Sequence, residues 1–351
     1  MIVKLNAIDT LFFGSGKPFT MEETSMTDSI FPPTPETIYS FLRSCYFRSK
    51  MTDYAVFLES ISDKSKKDPT ISLRINDYGL LIENENKTER IFPIPQDLMD
   101  DKTDSSIQCL NLVDRTEDDI ISNYSENFTY KLTYKGEKKI RDFDSATYLK
   151  EEDILKYFRG DYDFKPINLE KENKILTEPK IGIRRNRIEL DDKLLYRLNM
   201  HRLESKDDII SFFVDFNGLE FDTDINRLGG EGKLAFIEKL EYDSSFTSNL
   251  VIDADQIFKM YLSSHLILKN DFSELLRGQA LLLTGVVGQK VFIGGWDAAR
   301  KEPKKTVKAI AAGSVLYFKA IKKIDTFPSH IGENNEKGYG RVYFSKVISN
   351  L

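Results

Sequence analysis

The chain has few of the residues on which most enzymes and small stapled domains rely. It holds two cysteines, Cys45 and Cys109, in 351 residues. They share no pairing or zinc-type spacing, so neither a disulfide framework nor a structural metal is expected, and a reducing compartment follows. The three histidines, His201, His265 and His330, are scattered, and none belongs to an H-E-x-x-H pair. There is no G-x-S-x-G elbow, and GVVGQK (285–290) lacks both the spacing and the ending of a phosphate-binding P-loop. Carboxylates are numerous, but no spacing isolates a pair for acid–base work. No apolar run approaches the ~18–20 residues of a membrane span. The N-terminal MIVKLNAIDTLFF is interrupted by Lys4, Asn6 and Asp9, so it reads as a first strand and not as a signal peptide. The cytoplasm is the expected location. The formal net charge is −6, so any polyanion site must be a local basic patch on an acidic body.

Apolar material is ample: 40% of residues are hydrophobic and 12% aromatic, enough for more than one core in a chain of this length. Residues 2–13 read as a buried strand, and 14–30 as loop. In FPPTPETIYSFLRSCYF (31–47), Thr34 can cap a helix and Pro35 fits its first position. Ile38, Phe41, Leu42, Cys45 and Tyr46 then fall on one apolar face. Segments 71–84 and 88–98 read as a hairpin, 147–160 as a helix ending at Gly160, and 254–266 as a short helix. Strands fill 178–218, and glycine loops enter strands near 234 and 342. Segment 97–127 holds nine acids against two bases, net −7, and reads as a solvated loop insertion. The expected class is α+β, with antiparallel sheets and helices on one face.

Three clusters could carry chemistry. Opposite the apolar stripe of the first helix stand Glu36, Thr37, Ser40, Arg43 and Ser44. Small hydroxyls beside an arginine suit a phosphate, and the plain alternative is a solvated face with a Glu–Arg contact. Residues 180–206 carry eight bases against four acids, net +4, with Arg184, Arg185 and Arg187 together, and Tyr196 and His201 near enough to stack on bases. Residues 299–323 carry eight bases, Lys304 and Lys305 among them, against Glu302 alone, net +7. Two glycine loops, LGGEGK (228–233) and KGYGR (337–341), place Arg227, Lys233 and Arg341 beside Gly229, Gly230, Gly338 and Gly340. Glycine lets backbone N–H groups approach a phosphate, although a tight turn is the simpler use.

Several of these stretches together resemble one family. DTLFFGSGKPF, FPPTPETIYSFLRS, IFPIPQDL, PKIGIRRN, LYRLNMHRLE, RLGGEGKLAFIE, GGWD…PKK and AAGSVLYF occur in the order seen in the third Cmr subunit of type III-B CRISPR effectors. That subunit belongs to the RAMP superfamily, whose glycine-rich loop GYGRVYF resembles. The insertions at 48–70 and 100–175 match least. After the first strand the family shows Arg-Asp-Gly-Arg-Pro-Phe; here Gly14, Ser15, Gly16, Lys17, Pro18 and Phe19 stand instead, and Lys17 is the only charge left. The resemblance implies two ferredoxin-like (RRM-like) domains with inserted loops, at 1–180 and 181–351. It implies no enzyme activity, no cofactor and no metal. The implied partners are the 5′ handle of the guide RNA, the large polymerase-like subunit and the backbone RAMP subunit of one complex, with no membrane. The implied RNA-binding groups are Lys17, Thr37, Ser40, Arg43, Arg184, Arg185, Arg187, Arg227, Gly229, Gly230, Lys233, Lys304, Lys305, Gly338, Gly340 and Arg341. Two other readings stay open. One is a metal-independent RAMP nuclease using His201 and Tyr196; the other is an assembly scaffold whose basic patches meet only protein.

Overall fold

Period-two patterning builds most of this molecule. The computed structural model describes residues 1–14, 26, 27, 29–50, 59, 68–84, 87–102, 106–115, 130–134, 136, 139–183, 195–205, 207–242, 246, 250–269, 271–297 and 302–347. The N-terminal lobe is an eight-stranded antiparallel sheet. Its strands are β1 (Ile2–Ala7), β2 (Arg74–Asn84), β3 (Lys87–Pro93), β4 (Thr147–Lys150), β5 (Ile167–Asn168), β6 (Ile209–Asn217), β7 (Ile225–Arg227) and β8 (Leu234–Lys239), in the spatial order 5-4-3-2-6-1-8-7. Val3 and Leu5 of β1 point to one face, where helix α1 (Pro35–Ser49) lays down Ile38, Phe41, Leu42 and Cys45. Thr34 is the N-cap, but it accepts through its backbone: its carbonyl takes the Thr37 N–H, and its hydroxyl makes no cap bond. Helix α2 (Glu151–Phe158) falls within the helix expected over 147–160, whose first four residues instead form β4.

The C-terminal lobe is a four-stranded antiparallel sheet of β9 (Ile257–Leu262), β10 (Ala280–Val286), β11 (Val315–Ala320) and β12 (Val342–Lys346), ordered 10-11-9-12. Counted within the lobe this is 2-3-1-4. The strands β2-β6-β1-β8 of the first lobe repeat that order, which a βαββαβ sheet adopts. Among the described residues helices are few: α1 makes a full crossover, and β7 occupies the stretch between β6 and β8. In the second lobe 3₁₀ turns at Phe272–Glu274 and Asn335–Lys337 stand in the connections. Among the described residues the class is therefore α+β with a strong excess of strand.

Three expectations change. The large sheet takes β6, β7 and β8 from beyond residue 180, so it runs across the division expected there, and the second sheet begins only at Ile257. The helix expected within 254–266 is strand β9. Phe258, Met260 and Leu262 face one core while Tyr261 faces another, and a strand covered on both sides loses its alternation and reads as an unbroken apolar run. The acidic segment 97–127 contains strands Leu98–Asp101, Ile107–Cys109 and Asn111–Asp114; Asp97 and Asp101 are buried, and 116–129 lie outside the described residues.

The two lobes share a core. Phe92, Leu149, Ile154 and Tyr157 of the first pack with Tyr261, Val315, Tyr317 and Tyr343 of the second. Removing each such side chain from water stabilises by roughly 1.5–3 kcal/mol. The Tyr261 hydroxyl donates to the Pro93 carbonyl at 2.6 Å, and the Gln96 N–H donates to the Gly313 carbonyl at 2.9 Å. Two buried charged nodes lie on the same boundary. At the first, Asp97 accepts from Lys259 Nζ at 2.9 Å, from the Tyr157 hydroxyl at 2.8 Å and from the Tyr317 hydroxyl at 2.6 Å. Burial alone lowers an ammonium's pKa, but the Asp97 charge outweighs it and raises that of Lys259. At the second, Asp77 accepts from Arg90 at 2.9 and 3.0 Å and from the Tyr343 hydroxyl at 2.7 Å. Burial pushes the Asp77 carboxyl up, and the Arg90 and Arg341 charges overcome it and hold the pKa low.

Candidate nucleic-acid interface

The polar face of α1 is where separate parts of the chain meet. Glu36, in its first turn, accepts from Lys304 Nζ at 2.9 Å and from Lys337 Nζ at 3.1 Å. These lysines come from the second lobe, one from the lysine-rich arm and one from the second glycine loop. Burial raises the Glu36 pKa, the Lys304 hydrogen bond and both lysine charges lower it, and the balance lies below the ordinary range. Two cations thus meet one carboxylate at this contact, with Glu336 beside Lys337 in the same turn. The far end of α1 meets β7: Asn226 Nδ2 donates to the Ser44 hydroxyl at 2.8 Å, and exposed Arg227, the next residue of the strand, turns to the opposite side. The structure thus brings α1, the β7 edge, the lysine arm and the C-terminal glycine loop together.

Within this junction the residues divide by what they already hold. Arg43 is committed to the turn after the undescribed 60–67 stretch: its Nε donates to Thr70 Oγ1 at 2.7 Å and its guanidinium reaches Asp68 at 2.8 Å. The Thr37 hydroxyl meets that of Thr34 at 3.2 Å. Ser40, Arg227 and Lys305 are open to solvent. Lys17, Arg184, Arg185 and Arg187 lie outside the described residues. The hairpin that leads to those arginines, Leu176–Ile183 with Leu195–Arg202, is described and pairs in register from Leu176↔Arg202 to Ile183↔Leu195.

Both glycine loops serve close packing. Gly229 has φ +75°, and a Cβ there would stand 2.4 Å from the Phe12 carbonyl; the Gly230 N–H donates to that same carbonyl at 2.8 Å. Lys233 Nζ pairs with Asp9 at 2.7 Å. Gly338 and Gly340 flank fully buried Tyr339, and a Cβ on Gly340 (φ +69°) would stand 1.9 Å from the Ile331 carbonyl. Their N–H groups donate to the Asn335 and His265 carbonyls. Arg341 lies over the Tyr343 ring at 4.6 Å, with Asp77 at 3.6 Å. The simpler use of these glycines, a tight turn under backbone, is the one the geometry displays.

His201 is buried, with Nε2 3.3 Å from the Ser29 carbonyl and its ring against Phe31. Burial lowers its pKa. It presents no open imidazole to a phosphodiester. Half-buried His265 accepts the Ala312 N–H at Nδ1, as a core or edge histidine does. Among the described residues no group of three or more His, Cys, Asp or Glu could hold a metal, and no described helix is long and apolar enough to cross a membrane.

Sequence reasoning missed the buried pairs Asp97–Lys259 and Asp77–Arg90; nothing local announces the Asp97 partner 162 residues away, whereas Asp77 and Arg90 stand 13 residues apart on the paired strands β2 and β3. It also missed Phe292. There the signal was present: the apolar residues Val291 and Ile293 flank it, so in a strand its ring must face the other way.

Comparison with known proteins adds a decisive observation. A family model described as CRISPR-associated protein (Cas_Cmr3) matches residues 3–346. The chain belongs to the Cas_Cmr3 family. No curated protein matches it. Among solved structures, a chain of a type III-B Cmr-beta complex bound to cognate target RNA and AMPPnP is similar at 16% identity, covering 90% of this chain and 86% of that one, with a TM-score of 0.46. A chain of a Csm3–Csm4 subcomplex from a type III-A CRISPR–Cas interference complex is similar at 12% identity, covering 98% of each chain, with a TM-score of 0.41.

Proposed function

We propose that this chain is a non-catalytic subunit of a type III-B CRISPR effector complex, that it holds the 5′ handle of the guide RNA, and that it docks the large polymerase-like subunit onto the backbone filament. The observation that carries the reading is the Cas_Cmr3 match across residues 3–346. In this reading the two lobes are ferredoxin-like modules that have lost most of their helices. RNA phosphates meet the open groups Ser40 and Lys305 near the start of α1 and Arg227 at the end of β7, together with Lys17, Arg184, Arg185 and Arg187. Lys304 ties the lysine arm to Glu36. Thr37, Arg43, Gly229, Gly230, Lys233, Gly338, Gly340 and Arg341 act beneath them by fixing the surface they line. Enclosed His201 supports a holding role over a cutting one.

Phosphate contacts release counterions, so the logarithm of RNA affinity should fall linearly with the logarithm of salt concentration. A triple alanine change at Arg184, Arg185 and Arg187 should strip guide RNA from the assembled complex. Unchanged guide content would sink the reading. Metal-independent cleavage of repeat RNA, abolished by His201→Ala, would replace it with the nuclease alternative. Crosslinks from these arginines to protein alone would replace it with the scaffold.

A further inference from the structure

The lysine-rich arm between β10 and β11 has two faces of opposite character. Strands Val291–Ile293 and Val307–Ala309 pair antiparallel, with Val291 opposite Ala309, Phe292 opposite Lys308 and Ile293 opposite Val307. Val291, Ile293, Val307 and Ala309 turn inward and pack on Ile267 and Tyr339, the buried tyrosine of the glycine loop. Phe292 and Lys308 turn outward as direct cross-strand neighbours. Phe292 is 50% exposed. The one other aromatic among the exposed large apolar side chains of the described residues is Phe236, at 42%, and it lies between Leu234 and exposed Glu238. Phe292 instead has cations about it. Lys290, Lys305 and Lys308 are exposed on the arm, Lys304 roots it to Glu36 of α1, and Glu302 is the one carboxylate with a described side chain on it.

A lone exposed phenylalanine needs no explanation. A ring set rigidly on a ribbon, with an ammonium directly across and further cations along the strand, has the two components of a single-strand platform: a flat surface for a base and charge for the phosphates beside it. Lysine is among the residues depleted at protein–protein interfaces, and here lysines surround the ring. We propose that Phe292 is a stacking platform for one unpaired base of the RNA held by this subunit, with Lys308 on the adjoining phosphate. The inference rests on the RNA-binding reading above and adds the residue that receives a base. Stacking on an aromatic ring is indifferent to base identity, so this contact contributes affinity and position without selecting sequence.

The test uses the full chain and a fluorescently labelled single-stranded RNA of the repeat-derived 5′ segment, titrated at several salt concentrations. Phe292→Ala should weaken binding about 5- to 150-fold with the salt slope unchanged, because no phosphate contact is removed. Phe292→Trp and Phe292→Tyr should bind like the native chain, and Phe292→Leu like the alanine variant. Lys308→Ala should lower the salt slope by about 0.7. Native affinity in Phe292→Ala overturns the stacking proposal, as does full binding by Phe292→Leu with loss in Phe292→Trp, the pattern of an apolar protein contact. A native chain that fails to bind this RNA even at the lowest salt overturns the RNA-binding reading itself, an outcome distinct from either.

Discussion

Replacing Lys259 by methionine should loosen the two lobes from each other. The change keeps most of the side-chain volume and removes the one cation that contacts Asp97 among the described residues. That carboxylate is 0% exposed and would keep the Tyr157 and Tyr317 hydroxyls but lose its countercharge. Stripping one partner from a buried pair costs about 3–5 kcal/mol, because the other charge stays uncompensated in a poorly polarisable site. Asp97→Asn should cost a similar amount by stranding the ammonium. The double variant should cost clearly less than the two single losses together, with a coupling of about 1–3 kcal/mol, since neither charge then remains. Because Asp97 belongs to the first lobe and Lys259 to the second, the single variants should also split a cooperative urea transition into two steps. Urea titrations of the native protein and the three variants, followed by tryptophan fluorescence and by far-ultraviolet circular dichroism, measure both effects. Single losses below about 1 kcal/mol, or costs that simply add, would refute the claim that this pair joins the lobes.

Other outcomes follow from the same geometry. His265 and His330 are both held down to about 4 by burial, with the Arg341 charge adding to the effect at His330. Unfolded, each takes a proton near pH 6.5, so the unfolded state binds more protons between 6.5 and 4. Stability is therefore present above pH 6.5 and declines through that window, by about 3 kcal/mol for His265 alone; His265→Asn should flatten the decline in denaturation curves taken across it. Gly340→Ala should destabilise by about 3 kcal/mol or more, through left-handed strain and the Ile331 carbonyl, and chemical denaturation would show it. Arg43→Ala should cost about 1 kcal/mol by freeing the Asp68–Thr70 turn, with guide RNA retention near native; a large loss of retention would instead make Arg43 a direct phosphate ligand.

Local patterns were readable where one physical rule governs them. The stripe Ile38, Phe41, Leu42 and Cys45 dictated α1 and its buried face, and the β2–β3 hairpin followed from alternation. The polar side of α1 was readable as residue types but not as partners. Glu36 pairs with Lys304 and Lys337, 268 and 301 residues away, and no spacing rule spans such a gap. The same limit hid Asp97, which looked like part of a solvated acidic loop because its countercharge arrives on β9. That strand was itself misread, since burial on both sides erased its period. The glycine loops were located correctly in the chain; only packing shows that the Phe12 and Ile331 carbonyls stand where a Cβ on Gly229 or Gly340 would lie.

The most direct measurement of the central claim is photocrosslinking in the assembled complex, with a guide RNA carrying a photoreactive base at successive positions of its first segment. The account predicts adducts at the lysine arm or at Arg184, Arg185 and Arg187, lost on alanine substitution there. Adducts confined to other subunits across the whole 5′ segment would contradict it.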